Sequence, residues 1–383
     1  MRKSIRDRRE DVEDVRSMLR TFQFRLYPSA AQQVAFEHIL EDCCETYNAA
    51  LQERRDAWNM QRKVVTRFDQ QKELTELHKD PEFQWISTSI ERHVLLRVDE
   101  AFQAFFRRCR AGERPGYPRF KSRQRYDSFT FSLPIVKEKS IKVPKVGYVK
   151  MRGGRSVAGT AKVCHVRRQG RRWIVSVVCD IGPAPPKCAV LNPIGIDVGL
   201  MKFATLSDGS FVENPRWMRK FEAKIAFANR ELARKQRRSR NRLRAKEKLR
   251  RVHQQLADAR RNFCHHVSKR LVGRYDLIAF EDLNIKGMVE DGKFSKSILD
   301  AAWRQLTWQL SYKAESAGRW AVPVNPRNTS KMCSQCGTLV EKTLRDRRHV
   351  CVCGASLDRD HNAAINIERL GMSLAGLSPS EHT

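Results

Sequence analysis

Apolar and polar residues alternate along Thr21-Phe-Gln-Phe-Arg-Leu-Tyr27, the period of a half-buried strand. Pro28 ends the run, and Ser29 stands where a helix cap is expected. From residue 30 to about 110 the spacing turns helical, with apolar residues at Val34, Ile39 and Leu40 and again at Leu95, Val98, Phe102, Phe105 and Phe106. Asp80-Pro81 marks a break between helices. A basic loop punctuated by glycine and proline fills 111–126. The period then returns to two at 128–131, 140–143, 148–151, 161–166 and 173–178, which predicts an all-β module with basic turns. Gly182-Pro-Ala-Pro-Pro186 reads as a linker.

A different pattern follows. Ile194-Gly-Ile-Asp-Val198 and Asp276-Leu-Ile-Ala-Phe280 are short apolar runs of the kind buried on both faces of a sheet. Between them, residues 203–206, the Asp208-Gly209 turn and Phe211-Val212 predict a hairpin, and 216–274 predicts a long helical stretch. A helix is expected over 298–317, a strand at Val322 and a last helix over 362–370. No internal repeat is present.

Composition narrows the picture. A chain of 383 residues holds two or three domains. Its 74 Lys and Arg against 43 Asp and Glu give a net charge of +31, which repels itself unless a polyanion screens it. Nucleic acid is that polyanion. No apolar run is long enough to span a bilayer, and no secretory segment opens the chain, so a cytoplasmic, nucleoid-associated protein is expected. Of eleven cysteines, seven are scattered and read as reduced thiols. The other four lie between Cys333 and Cys353.

Three acids sit where acids are costly or directive. Asp197 lies inside an apolar strand, Glu281 ends another, and Asp360 stands just before a helix. Each has an ordinary reading, a turn hydrogen bond, an ion pair or, for Asp360, a helix cap. Together they match the order of an RNase-H-like core, where acids converge at one end of a mixed sheet. An acid buried on a strand costs several kcal/mol unless it is paired or binds a metal. Three such carboxylates suit two Mg²⁺ (or Mn²⁺) ions about 4 Å apart and the hydrolysis of a phosphodiester.

Gly195-Ile-Asp-Val-Gly199, Ile278-Ala-Phe-Glu-Asp-Leu283 and Leu357-Asp-Arg-Asp-His-Asn-Ala-Ala-Ile-Asn-Ile367 resemble the three RuvC motifs of the TnpB family, relatives of the small type V CRISPR effectors. Phe22-Gln-Phe-Arg-Leu-Tyr-Pro28 resembles the family's first strand. Phe105-Phe-Arg-Arg108 with Gly116-Tyr-Pro-Arg-Phe-Lys121 resembles its basic loop, and Trp303-Arg-Gln-Leu306 with Tyr312-Lys-Ala314 the helix before its zinc element. The resemblance runs from about residue 20 nearly to the end. It implies Asp197, Glu281 and Asp360, rather than Asp358, as the catalytic acids. It also implies a guide RNA, a short DNA motif read beside the target, and cleavage of both strands of duplex DNA. A start near Met18 is expected, because Met18-Leu-Arg-Thr-Phe resembles the beginning of family members.

The expected layout is an α/β multidomain chain. A charged arm (1–20) precedes a β-barrel-like wedge module (21–29 and 111–186) split by a helical recognition insert (30–110). An RNase-H-like (RuvC) nuclease domain (187–325 and 355–372) carries a basic helical insertion (216–274) and a zinc element (326–354), and a disordered tail (373–383) follows. Cys333-Ser-Gln-Cys336-Gly is a zinc knuckle, but its partner, Cys351-Val-Cys353-Gly, is one residue short of the family's usual spacing. Either Cys351 ligates through a tighter loop, with Val352 turned outward and Gly354 giving the turn, or His349 replaces it. Residues 216–274 carry 21 Lys and Arg against 4 Asp and Glu, too few acids for paired helix faces, so phosphate contact is expected, with Arg237, Arg238 and Arg240 at its centre. Tyr117, Arg119, Phe120, Lys121 and Arg123 combine rings and cations, which suits stacking and phosphate contact. Arg67, Gln70 and Gln71 are expected to read base edges. Two other readings are an RNA-guided repressor, disfavoured by the presence of all three acids, and a strand-joining transposase.

Overall fold

The computed structural model describes residues 17–153, 156–290, 300–343 and 346–377. The chain divides into two compact units, with the boundary after Pro183, inside the expected linker.

The first unit holds strand β1 (Ser17–Tyr27), helices α1 (Ala30–Gln61), α2 (Arg67–Leu77) and α3 (Thr88–Arg110), then β2 (Ser128–Ser132), β3 (Ile135–Lys137), β4 (Ser140–Val143), β5 (Gly147–Arg152), β6 (Thr160–Gln169) and β7 (Arg172–Pro183). Ser29 caps α1 as expected, accepting from the Gln32 amide while the Gln32 side chain accepts from the Ser29 N–H. The strands form one seven-stranded sheet in the order β2-β6-β7-β1-β5-β4-β3, with every pairing antiparallel. Phe22, Phe24 and Leu26 point to its buried face. Phe36 of α1 packs edge-on against Phe129 and Trp173 at 5.5 and 4.8 Å, so the helices close the core over the sheet.

Three expectations change here. The arm is shorter than 1–20, because residues 17–20 belong to β1 and pair with β7. Arginine disguises the alternation there: Arg20 takes an inward position and lays its guanidinium over the Phe22 ring. β3 went unrecognised, being three residues with one half-buried side chain. The helical insert breaks at 62–66 as well as at 80–81. Arg62 adopts a left-handed φ of 54°, and Thr66 opens α2 with a capping box to Asp69.

The second unit holds β8 (Pro193–Val198), β9 (Lys202–Leu206), β10 (Phe211–Glu213), α4 (Trp217–Ala233), α5 (Arg240–Arg274), β11 (Leu277–Glu281), α6 (Ile285–Glu290), α7 (Trp303–Ser316), β12 (Trp320–Val324), β13 (Arg348–Val350), β14 (Ser356–Asp358) and α8 (Arg359–Leu374). Its main sheet has the order β10-β9-β8-β11-β12. β8, β11 and β12 run parallel; β9 pairs antiparallel with β8, and β10 antiparallel with β9, as the expected hairpin. Ile194, Ile196, Ile278 and Phe280 face α7 and the C-terminal part of α5. Leu277 and Ala279 face α8. Burial on both faces is why these strands are unbroken apolar runs. Cys264, Val267 and Leu271 of α5 are in that core, so the basic region 216–274 is not wholly an insertion. Two glycines seat α8 on the sheet. A Cβ at Gly195 would lie 2.0 Å from the Ala364 carbonyl oxygen, and one at Gly371 would lie 2.3 Å from the Ala279 Cβ. Helix and sheet therefore meet almost backbone to backbone. The last helix outruns the expected 362–370 and enters the region expected as a tail; residues 378–383, like 1–16, fall outside the described residues.

Candidate functional site

The second unit brings the three acids to one end of its sheet. Asp197 is the fifth residue of β8 and Glu281 the last of β11, so both lie toward the C-terminal ends of adjacent parallel strands. Asp358 caps α8, accepting from the Asp360 and His361 N–H groups. Asp360 is thereby freed from capping and set in the first turn, where its carboxylate comes within 3.9 Å of where a Gly199 Cβ would be, just past β8. The cap expected at Asp360 thus belongs to Asp358.

Asp197 is half-buried, and its carboxyl has no hydrogen-bond or ion-pair partner among the described residues. Burial, then the charges of Glu281 and Asp360, hold its pKa well above the usual carboxylate range; Arg359 opposes them. Burial also raises Glu281, opposed by the Thr329 hydroxyl, which donates to its Oε1 at 2.5 Å. Arg359 pairs with Asp360 at 3.2 Å. An unpartnered carboxyl pressed by two like charges fits a cation in the space between them.

The four cysteines converge. Their sulfurs lie within 4.8 Å of one another, with Cys333 and Cys353 at 3.7 Å and Cys336 and Cys351 at 3.5 Å. Four thiolates at about 2.3 Å from one tetrahedral zinc would stand roughly 3.8 Å apart, so the set fits that ion. Val352 is 95% exposed and Gly354 takes φ 92°, as the tighter loop requires. His349 is not in the group: its Nδ1 contacts the Lys342 amine and its ring is buried. The cysteine set is the group of three or more such ligands gathered this tightly among the described residues.

Sequence reasoning missed what joins the two sites. Asn362 and Asn366, one turn apart on α8, hold the knuckle. The Ser334 N–H donates to Asn362 Oδ1 at 2.9 Å, the Asn362 amide donates to the Met332 carbonyl at 2.8 Å, and the Asn366 amide reaches the Thr329 and Met332 carbonyls at 2.9 and 2.7 Å. Thr329, held by Asn366, in turn holds Glu281. The i,i+4 asparagine pair near Asp360 was the available signal; Thr329 carried none.

The expected nucleic-acid contacts are sorted by the first unit. Tyr117 packs edge-on against Phe102 and Phe105 at 5.6 and 5.5 Å. Lys121 is half-buried over the Tyr47 ring at 4.1 Å, and burial lowers its pKa, so it serves as an anchor of the fold. Arg123 pairs with Glu45 and Glu41. Arg119 and Phe120 remain outward. Gln70 is buried and its amide bonds Ala50 and Glu53 while its oxygen takes the Arg54 Nε, which removes it from base reading. Arg67 lies over the Phe68 ring, and Gln71 is half-buried. In the second unit, Arg237, Arg238 and Arg240 are exposed at the turn between α4 and α5. No helix among the described residues is long and apolar enough to cross a membrane.

Comparison with known proteins agrees with the motifs. Residues 176–291 match a family described as "Probable transposase", 303–367 a Cas12f1-like TNB domain and 18–63 a helix-turn-helix domain. The chain is 34% identical over 368 residues to a "Putative RNA-guided DNA endonuclease" of Streptomyces pristinaespiralis, covering 92% of this chain and 90% of that one. It is 29% identical to "Putative RNA-guided DNA endonuclease InsQ" of Escherichia coli K12, covering 92% of each. Its fold resembles that of the mini RNA-guided endonuclease Cas-phi3, with a TM-score of 0.51 at 8% identity over 93% of each chain. By its identity to the Streptomyces protein along nearly the full length of both, this chain belongs to the TnpB family.

Proposed function

We propose that this protein is an RNA-guided DNA endonuclease. It binds a guide RNA, recognises a short DNA motif beside the target, and cuts both strands at one RuvC-type site formed by Asp197, Glu281 and Asp360. The observation that carries the reading is the clustering of the three acids at the C-terminal ends of β8 and β11 and the start of α8, with Asp197 strained by the other two charges. The names of the relatives point the same way. The strand order, with a parallel core and an antiparallel hairpin, supports an RNase-H-like reading of this sheet.

Asp197, Glu281 and Asp360 would hold two Mg²⁺ (or Mn²⁺) ions, which supply an activated water and stabilise the leaving 3′ oxygen. Thr329 fixes the Glu281 carboxylate, and Arg359 holds the Asp360 carboxylate at 3.2 Å. Cys333, Cys336, Cys351 and Cys353 would hold a structural zinc. The exposed cations around Arg237 to Arg240, with Arg119 and Phe120, supply phosphate contact and stacking for guide and target. Sequence choice then rests on guide pairing.

Asp197→Ala should abolish cutting in Mg²⁺ and leave guided DNA binding largely intact, because ligands of this kind act on the transition state while the basic surface supplies affinity. Cleavage and filter-binding assays with the copurified RNA test it. Full cutting by the variant would remove Asp197 from the site. A chain that carries no defined RNA would instead favour a strand-joining enzyme.

A further inference from the structure

Beside Glu281 the second unit opens a cleft of about 520 Å³, walled by the end of β11 and one face of α7. Arg304, Thr307, Trp308 and Ser311 line it from the helix, at the i, i+3, i+4 and i+7 spacing of a single face. Trp308 is 63% exposed where it lines this recess, and its indole lies tilted against the Tyr312 ring at 4.8 Å. Arg304 is exposed and makes no ion pair with any described residue. The other charges lining the cleft are Glu281 and the exposed Asp282, both on the strand side.

A core role explains Trp303, Leu306 and Leu310 of the same helix, which are buried. It does not explain Trp308. A braced, exposed indole offers a π-face to any base, and the exposed Arg304 guanidinium, one turn earlier on the helix and without an ion pair among the described residues, offers a phosphate ligand in the same cleft. The recess has room for a nucleotide and opens onto Glu281 itself.

We propose that this cleft is a subsite for one unstacked nucleotide of the DNA strand being cut, its base lying on Trp308 and its phosphate on Arg304, which presents the neighbouring phosphodiester to the acids. The proposal rests on the nuclease reading above. Trp308 and Arg304 are positioning residues in it: they hold the strand and leave the chemistry to the carboxylates.

The full chain with its guide RNA is tested in two ways. Trp308→Ala should slow single-turnover cutting about tenfold while guided DNA binding and the melting temperature stay unchanged, and Trp308→Phe should restore most of the rate. Separately, 5-iododeoxyuridine is walked along the target and photo-crosslinked. Crosslinks to Trp308 should come only from positions flanking the cut and should vanish in Trp308→Ala. Wild-type rates in Trp308→Ala, or crosslinking of Trp308 to iodouridine placed in the guide RNA, would overturn the subsite while leaving the nuclease intact. A wild-type chain that cuts no guided DNA would overturn both.

Discussion

Asp42, on α1, lies among carboxylates that have nothing to do with the proposed site. Burial first, then Glu91 and Glu45, push its pKa to about 7, with His78 opposing, and its Oδ2 is buried without a hydrogen bond. A carboxyl raised in the fold is penalised once it must ionise there. The wild type therefore loses stability as pH rises from the ordinary carboxylate range through 7, and the penalty is complete above that. Asp42→Asn should stabilise the protein at pH 8 by up to about 2 kcal/mol, after discount for residual solvent, and by almost nothing at pH 4. Thermal melts at the two pH values check it; an equal shift at both would mean packing, not charge. Residues like this one were illegible in the sequence, where a polar position on a helix looks the same whether it faces water or a neighbour. Gln70 misled for that reason. Asp197 and Glu281 were legible because an acid inside an apolar strand has few ordinary uses.

Elements were legible where their period was undisguised. The apolar strands β8 and β11, the hairpin and the long basic helices follow directly from the pattern, whereas the start of β1 was hidden by Arg20 and the break before α2 by a left-handed arginine. The joint between the knuckle and α8 could not be read at all, because it is made of asparagine amides and backbone groups distant in sequence. Its energetics are nonetheless sharp. Asn362→Ala strands the Ser334 N–H and removes a donor from the Met332 carbonyl in a buried place, costing about 1–3 kcal/mol. We expect a lower melting temperature, and slower cutting in a variant whose acids are all intact. Elemental analysis separates the causes. About one zinc per chain retained in Asn362→Ala but lost in Cys333→Ala would mean that the helix contact, and not the metal alone, seats the knuckle beside the acids. Less than about half an equivalent in the wild type, with full activity in Cys333→Ala, would make the cluster vestigial.

For the whole molecule the excess of 31 positive charges is the dominant fact. Such a surface repels itself, so RNA acts as ligand and as neutralising counter-charge together. If six or more phosphates are contacted, raising salt from 50 to 200 mM should weaken RNA binding by about a thousandfold or more. A titration at several salt concentrations gives the slope; a shallow one would assign the charge to something other than phosphate contact. Composition made this legible from the start, while the division into two units was legible only at the proline-rich joint near residue 183.

The near contact of α8 with the sheet has a consequence for how such a protein can lose its activity. Helix and strand are held apart by the radius of a hydrogen at Gly195, so the gap between Asp360 and Asp197 works as a gauge set by a missing methyl. Gly195→Ala would meet the Ala364 carbonyl and lift the N-terminal half of the helix, while Gly371 keeps the other end seated. Such a variant should melt well below the wild type and, assayed below its own melting temperature, bind guided DNA but cut it at least tenfold more slowly, a loss that extra Mg²⁺ does not restore. A cutter could thus drift into a silent binder with its whole acidic signature still legible in the gene, and a census of acids alone would count it among the living.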